Sequence, residues 1–220
     1  MLVEIWSDIV CPWCFIGKRR FERALERFAE RDRVEVIWRA FELDPEAERD
    51  PGTSVVDVLA AKYGGGREQA EAMMAHVTAE AATEGLSYRL DIARRGNSFD
   101  AHRLAHLARE VGLQGRFVER VMLAYLSEGA PIGDRDTLVR LAGEAGLPAD
   151  RAEAVLTGDA FAEAVRADER LARRIGVNGV PCFVFDRATG CAGAQPPEVL
   201  GRYLQDAWDR RGAPQAAGDG

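Results

Sequence analysis

Cys11-Pro12-Trp13-Cys14 stands between a short apolar run, residues 2–6, and an amphipathic segment that extends to about residue 30. This order predicts a strand, a tight turn, a pair of thiols and a helix. A helix N-terminus carries free amide N–H groups and the positive end of the helix dipole, and both favour a thiolate at Cys11. Cys14 follows about one helical turn later, so its sulfur can close a disulfide with Cys11. The stretch therefore predicts a reactive dithiol, with Pro12 at the first helical position.

Half of a zinc site is the main alternative for this C-x-x-C stretch. Structural zinc sites combine two closely spaced Cys or His pairs on knuckle turns. Here the other two cysteines, Cys182 and Cys191, lie far along the chain and nine residues apart. The bulky Trp13 between the ligands and the long helix behind them are also unlike a zinc knuckle. We therefore expect redox chemistry at the dithiol and no metal site.

Composition and charge exclude several classes of protein. A net charge of −7 over 220 residues argues against a nucleic-acid partner, because phosphate contacts need a basic surface. No apolar stretch approaches the ~20 residues of a membrane span, and the N-terminal residues lack the pattern of a secretory signal. We therefore expect a cytoplasmic monomer or homodimer with no membrane or nucleic-acid partner. Cytoplasmic cysteines stay reduced unless they cycle, which again favours a working dithiol.

The periodicity of the remaining chain predicts an α/β protein. Residues 34–41 alternate as a second strand, which completes a parallel β-α-β unit with the first strand and the helix. From about residue 43 to 175 the pattern is helical, with Ser98 and Asp134 as predicted N-caps. Strand character returns at 180–185 and 191–193, and a last helix covers 198–208.

These patterns predict a small sheet domain that carries an all-helical insertion. The sheet domain comprises residues 1–43 and 176–211, and the insertion comprises residues 44–175 after a turn at Asp50-Pro51-Gly52. The last helix of the insertion, 160–175, fits either part. The Gly- and Ala-rich residues 212–220 are expected to form a flexible tail.

Five short motifs together resemble one branch of a known superfamily. They are residues 7–18, 39–45, 101–104 and 193–196, and Gly176-Val177-Asn178-Gly179-Val180-Pro181. They make the chain resemble the thioredoxin superfamily and, within it, the FrnE-like branch of the DsbA-like proteins. That branch is similar to 2-hydroxychromene-2-carboxylate isomerases and kappa-class glutathione transferases. The resemblance implies a thioredoxin-like fold with an all-helical domain inserted after the first β-α-β unit.

The resemblance also implies which residues surround the dithiol. It implies a cis peptide bond before Pro181, with the backbone of Val180 presented to a client chain as in strand pairing. It implies that the helix bearing His102 faces the dithiol, where this side chain is a candidate to steer a substrate or tune the thiol. Pro12 and Trp13 complete the implied substrate-binding set. DsbA has Pro-His between its cysteines, so Trp13 removes a positive charge that would stabilise a thiolate.

Three functions are compatible with these residues. The leading interpretation is a thiol–disulfide oxidoreductase in which Cys11 attacks a disulfide and Cys14 resolves the mixed disulfide. Its partner would be a disulfide-containing protein or a small-molecule thiol, with no bound cofactor and glutathione as a candidate co-substrate. The alternatives are a glutathione-dependent isomerase or transferase of a small aromatic compound, and a redox-independent chaperone. Because both thiols are present, the sequence favours disulfide exchange.

Cys182 and Cys191 are candidates for a second redox pair. If residues 186–188 form a tight turn, the two cysteines fall opposite each other on neighbouring strands. The alternative interpretation is two small buried apolar side chains, which is common for free cysteine. The expected reducing compartment favours that alternative.

Overall fold

The computed structural model describes residues 1–49 and 52–212. Its sheet has four strands in the order β2-β1-β3-β4. These are β1 Leu2–Ser7, β2 Glu35–Ala40, β3 Cys182–Phe185 and β4 Thr189–Ala192. β1 and β2 run parallel, whereas β3 is antiparallel to both of its neighbours. The predicted turn at 50–52 and the predicted tail 212–220 lie outside the described residues, except for their residues 52 and 212.

The described residues form nine α-helices and one 3-10 turn, Arg31–Arg33. The helices are α1 Pro12–Glu26, α2 Val55–Tyr63, α3 Gly66–Thr83, α4 Phe99–Glu110, α5 Gln114–Glu128, α6 Arg135–Glu144, α7 Ala149–Thr157, α8 Ala162–Arg174 and α9 Pro197–Gly212. α1 joins β1 to β2, and α2 to α8 lie between β2 and β3. The α/β fold with a helical insertion after the first β-α-β unit is therefore present as the sequence predicts.

The two predicted N-caps differ in outcome. Asp134 caps α6, because its Oδ2 accepts a hydrogen bond from Thr137 N at 2.8 Å. Ser98 is the N-cap residue of α4, as predicted, but its side chain makes no capping hydrogen bond. The reason is local: Ser98 already has helical dihedral angles, φ −93° and ψ −2°, instead of the extended conformation of a capping residue. Asn97 Oδ1 accepts from Phe99 N at 2.9 Å instead.

Alternation along the strands divides the sheet into two faces. On one face, Val3, Ile5, Phe183 and Phe185 are fully buried in the large core under α1 and α9. Phe21 of α1 stacks on Phe183, with ring centroids 5.7 Å apart. This face therefore holds the helix that carries the dithiol firmly against the central strands.

α8 packs on the opposite face of the sheet. Its Asp168 accepts hydrogen bonds from Arg39 at 2.8 Å and from Ala40 N at 3.1 Å, and its backbone carbonyl accepts one from Trp6 Nε1 at 3.1 Å. These contacts join α8 to β1 and β2. The last helix of the predicted insertion thus packs with the sheet domain, and the division into two domains stays a prediction.

A side chain of the helical insertion completes the open edge of β2. Gln114, the first residue of α5, accepts a hydrogen bond from Trp38 N at 3.0 Å and donates one to Trp38 O at 2.9 Å. Both residues are buried. The amide takes the place of a neighbouring strand and ties the insertion to the sheet.

Replacing Gln114 by Leu should lower the free energy of unfolding by about 3 kcal/mol, because two buried backbone groups of Trp38 lose their partners. Chemical denaturation followed by circular dichroism measures this change. Gln205→Leu is the matched control, since Gln205 is exposed and its amide donates to Asp209 on the same helix. Equal stabilities of the two variants would contradict the role assigned to Gln114.

Candidate active site

The dithiol lies at the N-terminus of α1. The helix begins at Pro12, as predicted, and Cys11 is its N-cap residue. Cys11 N donates to Asp8 O at 3.2 Å and Cys14 N donates to Cys11 O at 3.0 Å, so the loop and the first turn hold both residues in place. Both cysteines are free thiols. Cys11 is 5% exposed and Cys14 is 0% exposed, so Cys11 is the thiol within reach of solvent.

Cys14 is held in its thiol form by its surroundings. Burial raises the pKa of the Cys14 thiol well above its ordinary value, and the adjacent Cys11 raises it further. The nearby Ser7 side chain and the Asp8 backbone act in the opposite direction without compensating. Cys14 must therefore lose a tightly held proton before its sulfur can attack another sulfur.

The loop before β3 approaches the dithiol from the other side. The Val180–Pro181 peptide bond is cis, the isomer that the family resemblance implies. The Cys11 thiol donates to Val180 O at 3.8 Å. A Cβ atom on Gly17 would lie 2.9 Å from Pro181 Cγ and 3.4 Å from Phe183 Cζ. The glycine in α1 therefore permits the close approach of Pro181 to the helix.

We expect Gly17→Ala to lower the free energy of unfolding by about 2 kcal/mol, because the added methyl group overlaps the ring of Pro181. This cost exceeds the ~1 kcal/mol by which alanine is favoured over glycine inside a helix. Gly201→Ala in α9 is the matched control, since a Cβ atom there meets nothing within 4 Å, and it should stabilise the protein. Urea unfolding compares the two, and equal gains in stability would refute the proposed overlap.

Two aromatic side chains of the helical insertion also reach the site. Tyr88, between α3 and α4, is buried and donates its hydroxyl to Pro12 O at 2.6 Å. Burial raises the pKa of Tyr88, and the charge of the nearby dithiol raises it further. His76 is exposed on α3, and its ring centroid lies 6.0 Å from that of the half-buried Trp13. Neither Tyr88 nor His76 lies in a motif, so sequence reasoning had no signal that could assign them to the site.

Asp8 connects the dithiol loop to the insertion. Its fully buried carboxylate accepts hydrogen bonds from Val10 N at 3.4 Å and from Leu43 N at 2.7 Å, and its Oδ1 lies 3.4 Å from His102 Nε2. Burial lowers the pKa of His102, but the hydrogen bond with Asp8 and the charges of Asp8 and two nearby glutamates outweigh burial and raise it. His102 is 4% exposed, so it meets the loop through Asp8 instead of lining an open cleft, and direct substrate contact is not supported.

The two glutamates near His102 form a buried pair. Glu42 follows β2 and Glu169 lies in α8, and Arg166 donates to one oxygen of each, at 2.5 Å and 2.9 Å. The Oε1 atoms of both side chains are buried without a donor among the described residues. Burial and the neighbouring Glu169 raise the pKa of Glu42 to about 7. The pair therefore retains a proton up to near-neutral pH, because two adjacent carboxylates repel each other.

Stability should fall as the pH rises through the raised pKa of Glu42. A glutamate with its ordinary pKa of 4.5 is already deprotonated in the unfolded chain, whereas the folded chain holds the Glu42 proton up to about pH 7. The folded state binds more protons between these values, so the free energy of unfolding decreases across the window, by up to ~3 kcal/mol.

Glu42→Gln has no proton to lose, so its unfolding free energy should decline less than that of the wild type between pH 5 and 8. Urea unfolding at several pH values measures the difference. A smaller decline should remain in the variant, because His102, with its raised pKa, also loses stabilisation as the pH rises through that pKa. Identical declines in the two proteins would contradict the retained proton on Glu42.

The β3–β4 hairpin separates Cys182 from Cys191. Three residues, 186–188, form its loop, and this shifts the pairing by one position from that of a two-residue loop. Cys182 lies opposite Ala192 and Cys191 opposite Phe183, so the two thiols point to opposite faces. The prediction that they face each other is wrong, and the second redox pair loses its geometric basis. Burial raises the pKa of Cys182, and burial together with Cys182 raises that of Cys191 to about 12.

Residues 1–49 and 52–212 offer neither a metal site nor a membrane-spanning helix. In this part of the chain, no group of three or more His, Cys, Asp or Glu side chains is arranged to hold a metal ion. His102 and His106, four residues apart on α4, lie beside separate aspartates, Asp8 and Asp168. No helix among these residues is long and apolar enough to cross a membrane.

The fold of this chain is shared with known proteins. The chain belongs to the DSBA-like thioredoxin domain family, whose model matches residues 2–205. Its structure is similar to that of a probable DsbA oxidoreductase, SCO1869 from Streptomyces coelicolor, with a TM-score of 0.92. The two sequences are 48% identical, and the match covers 100% of this chain and 94% of SCO1869. The uncharacterized protein YwbO from Bacillus subtilis (strain 168) is 28% identical over 216 residues, 93% of this chain and 96% of YwbO.

A more distant solved structure shares the fold. It is the cytosolic disulfide reductase DsbM from Pseudomonas aeruginosa with GSH, at 18% identity and a TM-score of 0.68 over 95% of this chain and 100% of that one. The family match and these structures confirm the resemblance to DsbA-like proteins and the thioredoxin-like fold. The family match and the similarity to SCO1869 also assign the chain to a family of thiol oxidoreductases in general.

Proposed function

We propose that this protein exchanges thiols and disulfides with Cys11 as the nucleophile and Cys14 as the resolving thiol. The observation that carries this proposal is the unequal access of two thiols at one helix N-terminus. Cys11 is the N-cap residue of α1, and Cys14 is fully buried behind it. Membership in the family supports an oxidoreductase in general, and the geometry supports these separate roles.

The proposed exchange consists of two displacements. The Cys11 thiolate attacks one sulfur of a substrate disulfide RS–SR′, so that a Cys11–SR bond forms and R′S⁻ leaves. Cys14 then loses its proton and attacks the Cys11 sulfur, so that the Cys11–Cys14 disulfide forms and RS⁻ leaves. The substrate disulfide gains two electrons, and the protein dithiol is oxidised. Two molecules of a small thiol such as glutathione complete the cycle: they reduce the Cys11–Cys14 disulfide to two thiols and leave as one disulfide. The opposite direction uses the same steps in reverse.

Pro12, Trp13, Val180 and Pro181 form the proposed substrate-binding surface around Cys11. Val180 O accepts the Cys11 S–H in the reduced protein. Ionisation of Cys11 removes that donor, so the carbonyl can then accept a hydrogen bond from a backbone N–H of a client chain. Trp13 is half-buried and offers an apolar surface beside the reacting sulfur. The buried His102 is proposed as a positioning residue that acts on the loop through Asp8.

Glutathione as co-substrate and a cytoplasmic location belong to the same proposal. The structure of the distant relative DsbM contains GSH, and that protein is described as a cytosolic disulfide reductase. A reducing compartment keeps the dithiol ready to attack a disulfide. Clients would then be disulfide-containing proteins or small disulfides, and the net charge of −7 disfavours nucleic acid as a partner.

Reaction with the aromatic disulfide 5,5′-dithiobis(2-nitrobenzoate) tests the two roles. The reduced wild type should release both thionitrobenzoate groups of one reagent molecule and end as the Cys11–Cys14 disulfide. Cys14→Ser should stop at a mixed disulfide on Cys11, because no second thiol resolves it. Cys11→Ser should react slower by on the order of a hundredfold, because Cys14 is buried and protonated.

Peptide mass spectrometry locates the adduct, and Cys191→Ser is the matched control that should behave like the wild type. A mixed disulfide found on Cys14, or an unchanged rate in Cys11→Ser, would exclude the assignment.

The same variants separate the two alternative functions. A glutathione-dependent isomerase or transferase needs one activated thiol, so its activity would survive Cys14→Ser. A redox-independent chaperone would suppress aggregation of a denatured client equally well when Cys11 and Cys14 are both replaced by Ser. Glutathione-driven reduction of insulin that is lost in Cys14→Ser and retained in Cys191→Ser supports the oxidoreductase.

A further inference from the structure

A groove lies on the face of the sheet that α8 covers only in part. α8 packs over β1 and β2 through Asp168, whereas β3 and β4 extend beyond it on the same face. The groove has a volume of about 610 Å³ and is bounded by the end of α8, the residues that follow α8 and the β3–β4 hairpin. The dithiol is not part of its lining. The groove is therefore separate from the proposed site of disulfide exchange.

The floor of the groove is apolar. Trp6, Cys182 and Val184 contribute to it from the strands, and Val177 contributes from the loop after α8. Cys182 adds to this apolar character, because burial raises the pKa of its thiol and keeps it uncharged. Ile175 lies on the wall and is 48% exposed, so its aliphatic side chain faces solvent without a cover. An apolar ligand can bury this surface.

The groove also carries more positive than negative charge. At its base, Glu4 is 1% exposed and accepts hydrogen bonds from Arg39 Nε at 3.0 Å and Arg187 Nε at 2.9 Å. Burial alone would raise the pKa of Glu4, but Arg187 and Arg39 outweigh it and lower the pKa, so Glu4 stays ionised with its charge matched. Arg174 is exposed at the rim, and its side chain has no hydrogen bond or ion pair with any described residue. Its guanidinium is available to an anion.

From these features we propose that the groove binds a small amphiphilic carboxylate. The apolar body of the ligand covers Trp6, Val184 and Ile175, and its carboxylate pairs with Arg174, whose planar guanidinium matches a carboxylate with two parallel hydrogen bonds. The groove volume of about 610 Å³ suits a ligand of that class. The apolar floor disfavours hydrophilic anions such as phosphate, and the positive rim disfavours cations. Binding uses no thiol, so it is independent of the proposed redox function.

An NMR titration of ¹⁵N-labelled protein with decanoate, kept below its micelle concentration, tests this site. We expect the backbone amide shifts to centre on residues 171–177 and 182–192. Decanol has the same alkyl chain without the charge, and it should bind more weakly by on the order of tenfold, because it cannot pair with Arg174. Shifts centred on another surface, or equal affinities for the two probes, would overturn the proposal.

Two variants at the rim sharpen the test. Arg174→Glu should weaken decanoate binding by on the order of tenfold or more and leave decanol binding unchanged. Arg210→Glu, on the exposed surface of α9, is the matched control and should change neither affinity. Ile175→Ser should weaken the binding of both probes, because it removes apolar wall. All three positions are exposed, so the fold should tolerate the changes. Equal effects of the two Arg→Glu variants on decanoate binding would refute the assigned carboxylate site.

Discussion

The buried carboxylate of Asp8 is the constraint on which the site depends. It is 0% exposed, so the protein itself must satisfy its two oxygens. They accept hydrogen bonds from Val10 in the dithiol loop and from Leu43 after β2, and they lie beside His102 of the helical insertion. The backbone carbonyl of the same residue accepts from Cys11 N. Three segments that are distant in sequence are thus held around one carboxylate, and Cys11 takes its position from them.

Behind Asp8, a layer of charged side chains continues into the helical insertion. His102 lies opposite Asp8, and its pKa is raised although burial acts against this, while Glu42 and Glu169 share the guanidinium of Arg166. Removal of one member leaves another charge buried without its partner, which costs several kcal/mol in typical proteins. The insertion is therefore bound to the thiol loop by electrostatics as well as by packing, and the layer makes the stability of the fold depend on pH near neutrality.

The two faces of one small sheet border different proposed sites. On the face under α1 and α9, Gly17 lets Pro181 approach the helix that carries the dithiol. On the other face, α8 covers only half of the sheet, and the uncovered half forms the apolar groove below Arg174. Cys182 follows Pro181 directly and already belongs to the groove floor, because successive side chains of a strand alternate between faces. Two adjacent residues, Pro181 and Cys182, therefore belong to the proposed redox site and to the proposed carboxylate site, respectively.

Local patterns in the sequence predict the thiol pair, the β-α-β unit, the helical segment and the cap at Asp134, because each depends on residues that are near neighbours in the chain. Tyr88 and His76 could not be assigned to the site in this way, because helix packing alone brings them to the dithiol. The positions of Cys182 and Cys191 depend on one residue of loop length, and a slip of one residue moves a side chain to the other face. The chemistry of the two thiols therefore follows from sequence. Tertiary packing decides how accessible the two thiols are, which residues surround them and which face of the sheet other side chains occupy. These features depend on contacts between segments that are far apart in the sequence, so local patterns cannot predict them.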